Sequence, residues 1–223
     1  MINKLLQIIA PHHCYGCRKT GTLLCDNCKY DIVEESFDAC IVCLSPTPIG
    51  ICAGCRTSYV RAWFVGERTE VLRQLIDALK FKRVRSSAEA LAGLVDLRLP
   101  VLPSNTVIVP VPTLARHVRQ RGYDHCFLIA RHLAKRRGVP LARLVKRQTS
   151  TVQRGMTKKH RMIQAGESFV CSGPIDPDAT YLVLDDVVTT NATVRYVAES
   201  LAQAGARNIW VVAVARQPLE KQR

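Results

Sequence analysis

The chain has 223 residues, a formal charge of +14, 10 cysteines and 48% hydrophobic residues. That apolar share excludes disorder as the main state and supplies a core for one or two domains. No apolar run reaches the roughly 18 residues of a membrane span, and Met1–Ala10 lacks a small-residue cleavage site, so a cytoplasmic protein with no membrane insertion is the expectation.

Eight cysteines fall in the first 55 residues as four Cys-x-x-Cys pairs: Cys14/Cys17, Cys25/Cys28, Cys40/Cys43 and Cys52/Cys55. Disulfides need an oxidising compartment, and a thioredoxin-like motif needs one pair, not four in a row. Zinc fits better, because two such knuckles complete one tetrahedral thiolate shell and four make two closed, structural sites. Sequential sharing groups Cys14, Cys17, Cys25 and Cys28, then Cys40, Cys43, Cys52 and Cys55. Interleaved sharing stays open, at a modest extra loop-closure cost. His12 and His13 read as a polar rim beside the first knuckle. Residues 1–60 carry five basic and five acidic residues, so this double ribbon is a scaffold or partner surface rather than a grip on phosphates.

Residues 61–223 form the second unit. Ala62–Val65 reads as a strand. Thr69–Arg83 reads as a helix N-capped by Thr69, with Val71, Leu72, Leu75, Ile76 and Leu79 on one face. Ser87–Leu97 is a second helix, Thr106–Val111 a buried strand, and Phe127–Arg137 a helix stopped by Gly138. Leu141–Arg147 is a strand, Thr157–Ala165 a short helix and Phe169–Val170 another strand. Between Arg116 and Arg161 stand 14 Lys/Arg and one acid, Asp124. Such a segment repels itself unless it faces anions, either a phosphate-rich small molecule or a nucleic-acid backbone, or is solvated throughout. Its only aromatics are Tyr123 and Phe127, few for stacking single strands.

The clearest unit is the last. Tyr181–Leu184 is a continuous apolar run, as in a central parallel strand. Asp185-Asp186-Val187-Val188 reads as an acidic turn, followed by Thr189, Thr190, Asn191, Ala192 and Thr193. A helix from Thr193 to Ala204 turns Val194, Val197, Ala198, Leu201 and Ala202 inward, and Ile209–Val214 is the next strand. This is a βαβ unit of an α/β fold. A Thr-rich loop opening a helix suits a phosphate monoester. Two carboxylates before it suit ribose hydroxyls or Mg²⁺. The plain alternative is an Asp-rich turn with Thr caps.

The run Tyr181–Thr193 resembles the phosphoribosyl-diphosphate motif of type I phosphoribosyltransferases. The whole chain resembles the ComF family, a double zinc ribbon followed by a type I phosphoribosyltransferase-like parallel-sheet domain. Ala78-Leu79-Lys80-Phe81-Lys82, Val109-Pro110-Val111-Pro112 and Arg119-Gln120-Arg121-Gly122-Tyr123 resemble further family elements, and Gln153 and Arg161 fall at the spacing of its basic segment. The resemblance implies that Asp185 and Asp186 hold the ribose, that Thr189, Thr190, Asn191, Ala192 and Thr193 surround the 5′-phosphate, and that Arg116, Arg119, Arg121, Lys158 and Arg161 face the pyrophosphate with Mg²⁺. It also implies a part in natural transformation, with single-stranded DNA and competence-machinery proteins as partners. The departures are Asn191 where the family has Gly, Asp124-His125 where it has Asn-Gln, and Gln148, Ser150 and Gln164 for Arg, Thr and Asn. They fit an altered substrate or a binding-only descendant. A zinc-ribbon transcription factor fits poorly, because the ribbons are nearly neutral.

Overall fold

A computed structural model describes residues 12–68, 70–148 and 169–217. The expected helix at 157–165, and Thr69, Ser150, Gln153, Lys158, Arg161 and Gln164, lie outside them.

Two Cys₄ ribbons open the described chain. They repeat each other with an offset of 26 residues through the first knuckle. Bridges join His13 to Thr20 and Ala39 to Pro46. Arg18 and Leu44 each take a positive φ, 66° and 64°. That reversal lets Arg18 N–H donate to Cys14 O (2.9 Å) and Leu44 N–H to Cys40 O (2.8 Å). The first ribbon also carries a helix that sequence reading left out, α1 (Asp26–Glu34), whose amino end is Cys25.

Behind the ribbons, four parallel strands make one sheet in the order β1 (Arg61–Glu67), β6 (Asn208–Arg216), β5 (Thr180–Val188), β2 (Thr106–Pro110). Helices α2 (Glu70–Phe81), α3 (Ser87–Arg98) and α5 (His125–Arg137) cover one face, and α6 (Ala192–Gln203) covers the other. Strand alternation builds the two cores. Trp210, Val212, Leu182 and Leu184 meet Leu75, Leu91 and Ile129 on the first face. Ile209, Val211, Tyr181 and Val183 meet Val197, Ala198 and Leu201 on the second.

The ribbons sit on opposite faces of this sheet. Leu23, Leu24 and Cys14 join the first core, whereas Ala39 and Ile41 join the second. The second ribbon approaches β1 so closely that Gly50 (φ 74°) has no room for a side chain: a Cβ there would lie 1.7 Å from Ala62 O. Ala62 N–H donates to Ile49 O (2.9 Å) beside it.

Several expected boundaries shift. The Leu141–Arg147 strand reduces to a bridge at Leu141 and β3 (Val145–Arg147), which pairs antiparallel with β4 (Phe169–Cys171). A short helix, α4 (Ala115–Arg121), precedes Gly122; its basic, weakly apolar sequence carries no periodic signal. Helix α5 starts two residues earlier than expected because the Asp124 carboxylate caps Phe127 N–H (3.1 Å). On α6, Ala202 is exposed and Ser200 takes the buried position.

Candidate functional site

Asp185 and Asp186 are not a turn. β5 runs on to Val188, and Asp185 pairs in register with Ala213 of β6. Both carboxylates are therefore buried, at 7% and 5% exposure. Strand alternation sends them apart. Asp186 turns to the first face, where Lys80 of α2 and His125 of α5 both meet its Oδ2, His125 Nε2 at 3.1 Å. Asp185 turns to the loop at the start of α6, where it helps line a recess of about 20 Å³ with Val188, Thr189, Asn191, Ala192 and Thr193.

The two acids differ in charge for physical reasons. Burial, and then the charge on Asp186, push Asp185 up to about 7. Burial also opposes ionisation of Asp186, but the His125 hydrogen bond and the Lys80 charge outweigh it and hold Asp186 below the usual carboxylate range. Burial likewise disfavours charge on Lys80, and Asp186 overrides it to raise the ammonium. Cys126, fully buried, is pushed well up by burial and the neighbouring acids. It stays a thiol and donates to Asp185 Oδ1 (3.6 Å), which also accepts Asp186 N–H (2.9 Å). Arg121 reaches His125 Nδ1 at 3.0 Å. A guanidinium only donates, so Nδ1 accepts and the ring proton sits on Nε2, facing Asp186.

At the loop, Asn191 adopts φ 63°, ψ 0° and is 6% exposed. The backbone thus takes the left-handed geometry that glycine would supply. Its side chain does not cap α6. The amide oxygen instead accepts from the Tyr59 hydroxyl at 2.9 Å. The helix therefore keeps its amino-terminal N–H groups uncapped by Asn191, with only a long contact from Ala192 N–H to Thr190 Oγ1 (3.4 Å). Thr189 and Thr190 are exposed, and Thr193 is half-buried.

The second ribbon is tied to the same loop. Arg216, 4% exposed, donates to Ile41 O (2.7 Å) and Val42 O (3.0 Å), and reaches Val188 O at 3.4 Å. One buried guanidinium thus links the second Cys₄ ribbon to the strand end that enters the loop.

The basic residues separate. Arg121 belongs to the His125–Asp186 network and lies 5.5 Å from the Phe81 ring centroid. Arg119 lines a larger cavity near β2, and Arg116 is exposed. Lys80, His125, Cys126 and Tyr59 were not singled out as site residues from sequence. Lys80 of α2, the adjacent pair His125-Cys126 of α5 and Tyr59 reach it from three separate parts of the chain, and no local spacing connects those parts. The pointers in the sequence were the family-like element Ala78–Lys82, which holds Lys80, and the departure from the family pattern at Asp124-His125.

The cysteines resolve into two clusters, Cys14, Cys17, Cys25, Cys28 and Cys40, Cys43, Cys52, Cys55, each with its four sulfurs within 4.8 Å of one another. The sequential grouping holds. Cys14–Cys25 is 3.8 Å, Cys17–Cys25 3.6 Å and Cys43–Cys52 3.5 Å. A tetrahedral ZnS₄ shell with Zn–S of about 2.3 Å places its sulfurs ~3.8 Å apart, so the donor sets fit structural zinc. Burial opposes ionisation of Cys14, yet the N–H groups of Cys25, Cys17 and Gly16 bring it down to about 6. Burial and the neighbouring sulfurs push Cys28 up to about 12. Four thiols this close cannot all ionise without a cation between them. His12 and His13 lie outside both clusters, near Ser86 and Thr20.

No family model matches the chain. Competence protein F of Haemophilus influenzae is 30% identical over 224 residues, spanning 92% of this chain and 95% of that protein. The DNA utilization protein YhgH of Salmonella typhi is 26% identical over 226 residues, spanning 94% of this chain and 99% of that protein. The YhgH protein of Salmonella typhimurium matches at the same identity and span. With a Cys₄ double ribbon, a parallel α/β sheet and near-complete coverage at this identity, the chain belongs to the competence protein F family.

Proposed function

We propose that the chain binds phosphoribosyl diphosphate at the end of β5 and serves in the use of imported DNA in the cytoplasm. The observation that carries this reading is the buried Asp185-Asp186 pair running directly into a left-handed Asn191 at the start of α6. The uncapped helix N-terminus and the Thr189, Thr190 and Thr193 hydroxyls hold the 5′-phosphate. Burial and the neighbouring Asp186 hold the Asp185 carboxyl up, and in its protonated form it donates to a ribose hydroxyl through its O–H and accepts through its other oxygen. Asp186 stays ionised and, fixed by Lys80 and His125, holds the strand end in place. Arg116, Arg119 and Arg121 and, from outside the described residues, Lys158 and Arg161 supply positive charge for the pyrophosphate. Mg²⁺ entering with the ligand would neutralise charge on the diphosphate.

If the chain turns over, it is a phosphoribosyltransferase. A nitrogen nucleophile forms a bond to ribose C1 as the C1–O bond to pyrophosphate breaks, and pyrophosphate carries off the electron pair. The protein's part is placement and electrostatics. A second reading, a non-catalytic factor for single-stranded DNA or competence-machinery proteins, is favoured by the excess of 14 basic residues over one acid between Arg116 and Arg161. Its signature is binding to single-stranded DNA that falls steeply with salt.

The test of the first reading is thermal. Phosphoribosyl diphosphate with Mg²⁺ at about 100 times its Kd adds ~2.7 kcal/mol of stability, a rise of about 5–10 °C for a chain of this size. Asp185→Asn with Asp186→Asn removes that rise. An unchanged shift in the double variant rejects the site.

A further inference from the structure

Both ends of the loop that opens α6 are tied to one metal site. Val188 closes β5, Asn191 starts α6, and Thr189 and Thr190 lie between them. At Val188 the tie is Arg216. Its guanidinium reaches Val188 O at 3.4 Å and donates to Ile41 O (2.7 Å) and Val42 O (3.0 Å), and Ile41 and Val42 are the residues between Cys40 and Cys43. At Asn191 the tie is the Tyr59 hydroxyl, which donates to the amide oxygen at 2.9 Å. Tyr59 follows Cys55 closely in the chain, and its carbonyl is fixed by Thr57 Oγ1 (2.7 Å). Each knuckle of the second ribbon thus holds one end of the loop.

Charge strengthens the first tie. Arg216 is 4% exposed and makes no ion pair among the described residues. Its acceptors there are the carbonyls of Ile41, Val42, Val188 and Gln217. A buried guanidinium with carbonyl partners alone needs a counter-charge nearby. Burial disfavours the Arg216 charge, and Cys40, Cys43 and then Glu67, its register partner on β1, favour it. A Cys₄ shell closed round Zn²⁺ is anionic, so a loaded second ribbon gives Arg216 its counter-charge and an empty one leaves a buried cation short of it. The first ribbon offers no such path. Its Cys14, Leu23 and Leu24 join the core on the opposite face of the sheet, whereas Val188 and Val194 belong to the core that the second ribbon joins.

We propose that the second Cys₄ ribbon sets the affinity of this loop for its phosphate ligand. With metal bound, the two knuckles hold Val188 and Asn191 in the receptive geometry; without it, the loop loosens and the ligand binds more weakly. The two metal sites, alike in their ligand sets, then differ in role: the first is structural and the second is also regulatory. The inference rests on the reading of this loop as the phosphoribosyl site. A loop already held in its binding geometry loses less conformational freedom when the ligand arrives. The coupling is reciprocal, so bound ligand tightens the second ribbon's hold on zinc by the same factor.

Three measurements on the full chain test it. Hydrogen exchange of the amides of residues 189–193, referred to those of Leu182–Leu184 in β5, needs no ligand. It should be faster by about fivefold or more in Cys52→Ser, and also in Tyr59→Phe and in Arg216→Lys, which keep both zincs. It should stay at the parent rate in Cys17→Ser, which opens the first ribbon. Calorimetric titration with phosphoribosyl diphosphate and Mg²⁺ should follow the same order, with affinity lowered about fivefold or more in the first three variants. In competition with a zinc-selective chelator, the ligand should protect one of the two zincs by that factor and leave the other unchanged. Unchanged loop exchange in both Tyr59→Phe and Arg216→Lys, equal acceleration in Cys52→Ser and Cys17→Ser, or ligand that binds yet protects neither zinc overturns the proposal. If phosphoribosyl diphosphate fails to bind the parent, the ligand reading falls, and the exchange rates still decide whether the second ribbon controls the loop.

Discussion

Replacing Tyr59 by Phe removes one oxygen from the joint between the second ribbon and the loop. Tyr59 is 2% exposed and Asn191 6% exposed, and their hydrogen bond is 2.9 Å long. The Phe ring keeps the packing but leaves the Asn191 amide oxygen buried without a donor. Orphaning a buried acceptor costs about 1–3 kcal/mol, a fall in melting temperature of about 2–12 °C for a chain of this size. The decisive measurement is a double-mutant cycle with Asn191→Gly, read by urea unfolding. Glycine keeps the left-handed backbone and removes the acceptor, so the Phe substitution then costs close to nothing, a coupling of about 1–3 kcal/mol. An equal cost of Tyr59→Phe in both backgrounds would refute the link between ribbon and loop.

Two further predictions concern charge and metal. Asp185 is held up to about 7 in the fold against 3.8 as its ordinary value, so the folded state binds its proton more tightly than the unfolded state. Stability is therefore lost as pH rises from about 4 to about 7. Asp185→Asn cannot titrate, and its stability relative to the parent should grow between pH 5 and pH 8 to on the order of 2 kcal/mol; a gap independent of pH would contradict the assignment. Metal analysis should find two zincs per chain. Because the second ribbon's Ile41 and Val42 are bonded to Arg216, Cys52→Ser should lower the melting temperature as well as the zinc content. A zinc loss that leaves stability unchanged would make that ribbon an appendage.

What could be read from sequence was local. Cys-x-x-Cys spacing pointed to two Cys₄ sites but left their grouping open between sequential and interleaved sharing, which the fold decides by bringing Cys14, Cys17, Cys25 and Cys28 and then Cys40, Cys43, Cys52 and Cys55 together. The apolar face of α2 carried clear 3.6-residue periodicity, and β5 and β6 stood out as continuous apolar runs. Asp185 and Asp186 stood out in the sequence as a candidate ligand pair but not as the strand residues they are. Buried carboxylates in a strand are tolerable only with distant partners, here Lys80 and His125, and nothing near residue 185 announces them. Asn191 looked like a steric departure from glycine, yet Tyr59, 132 residues away, takes up its side chain. The placement of the two ribbons on opposite faces of the sheet likewise depends on long-range packing of Leu24 and Ile41, which spacing alone does not encode.

Calorimetric titration of phosphoribosyl diphosphate with Mg²⁺ into the zinc-loaded chain, with ribose 5-phosphate as competitor, decides whether the end of β5 is a ligand site. One site per chain, competition by ribose 5-phosphate, and loss of binding in Asp185→Asn with Asp186→Asn are expected. No measurable binding, or binding that the double variant leaves unchanged, would exclude that site.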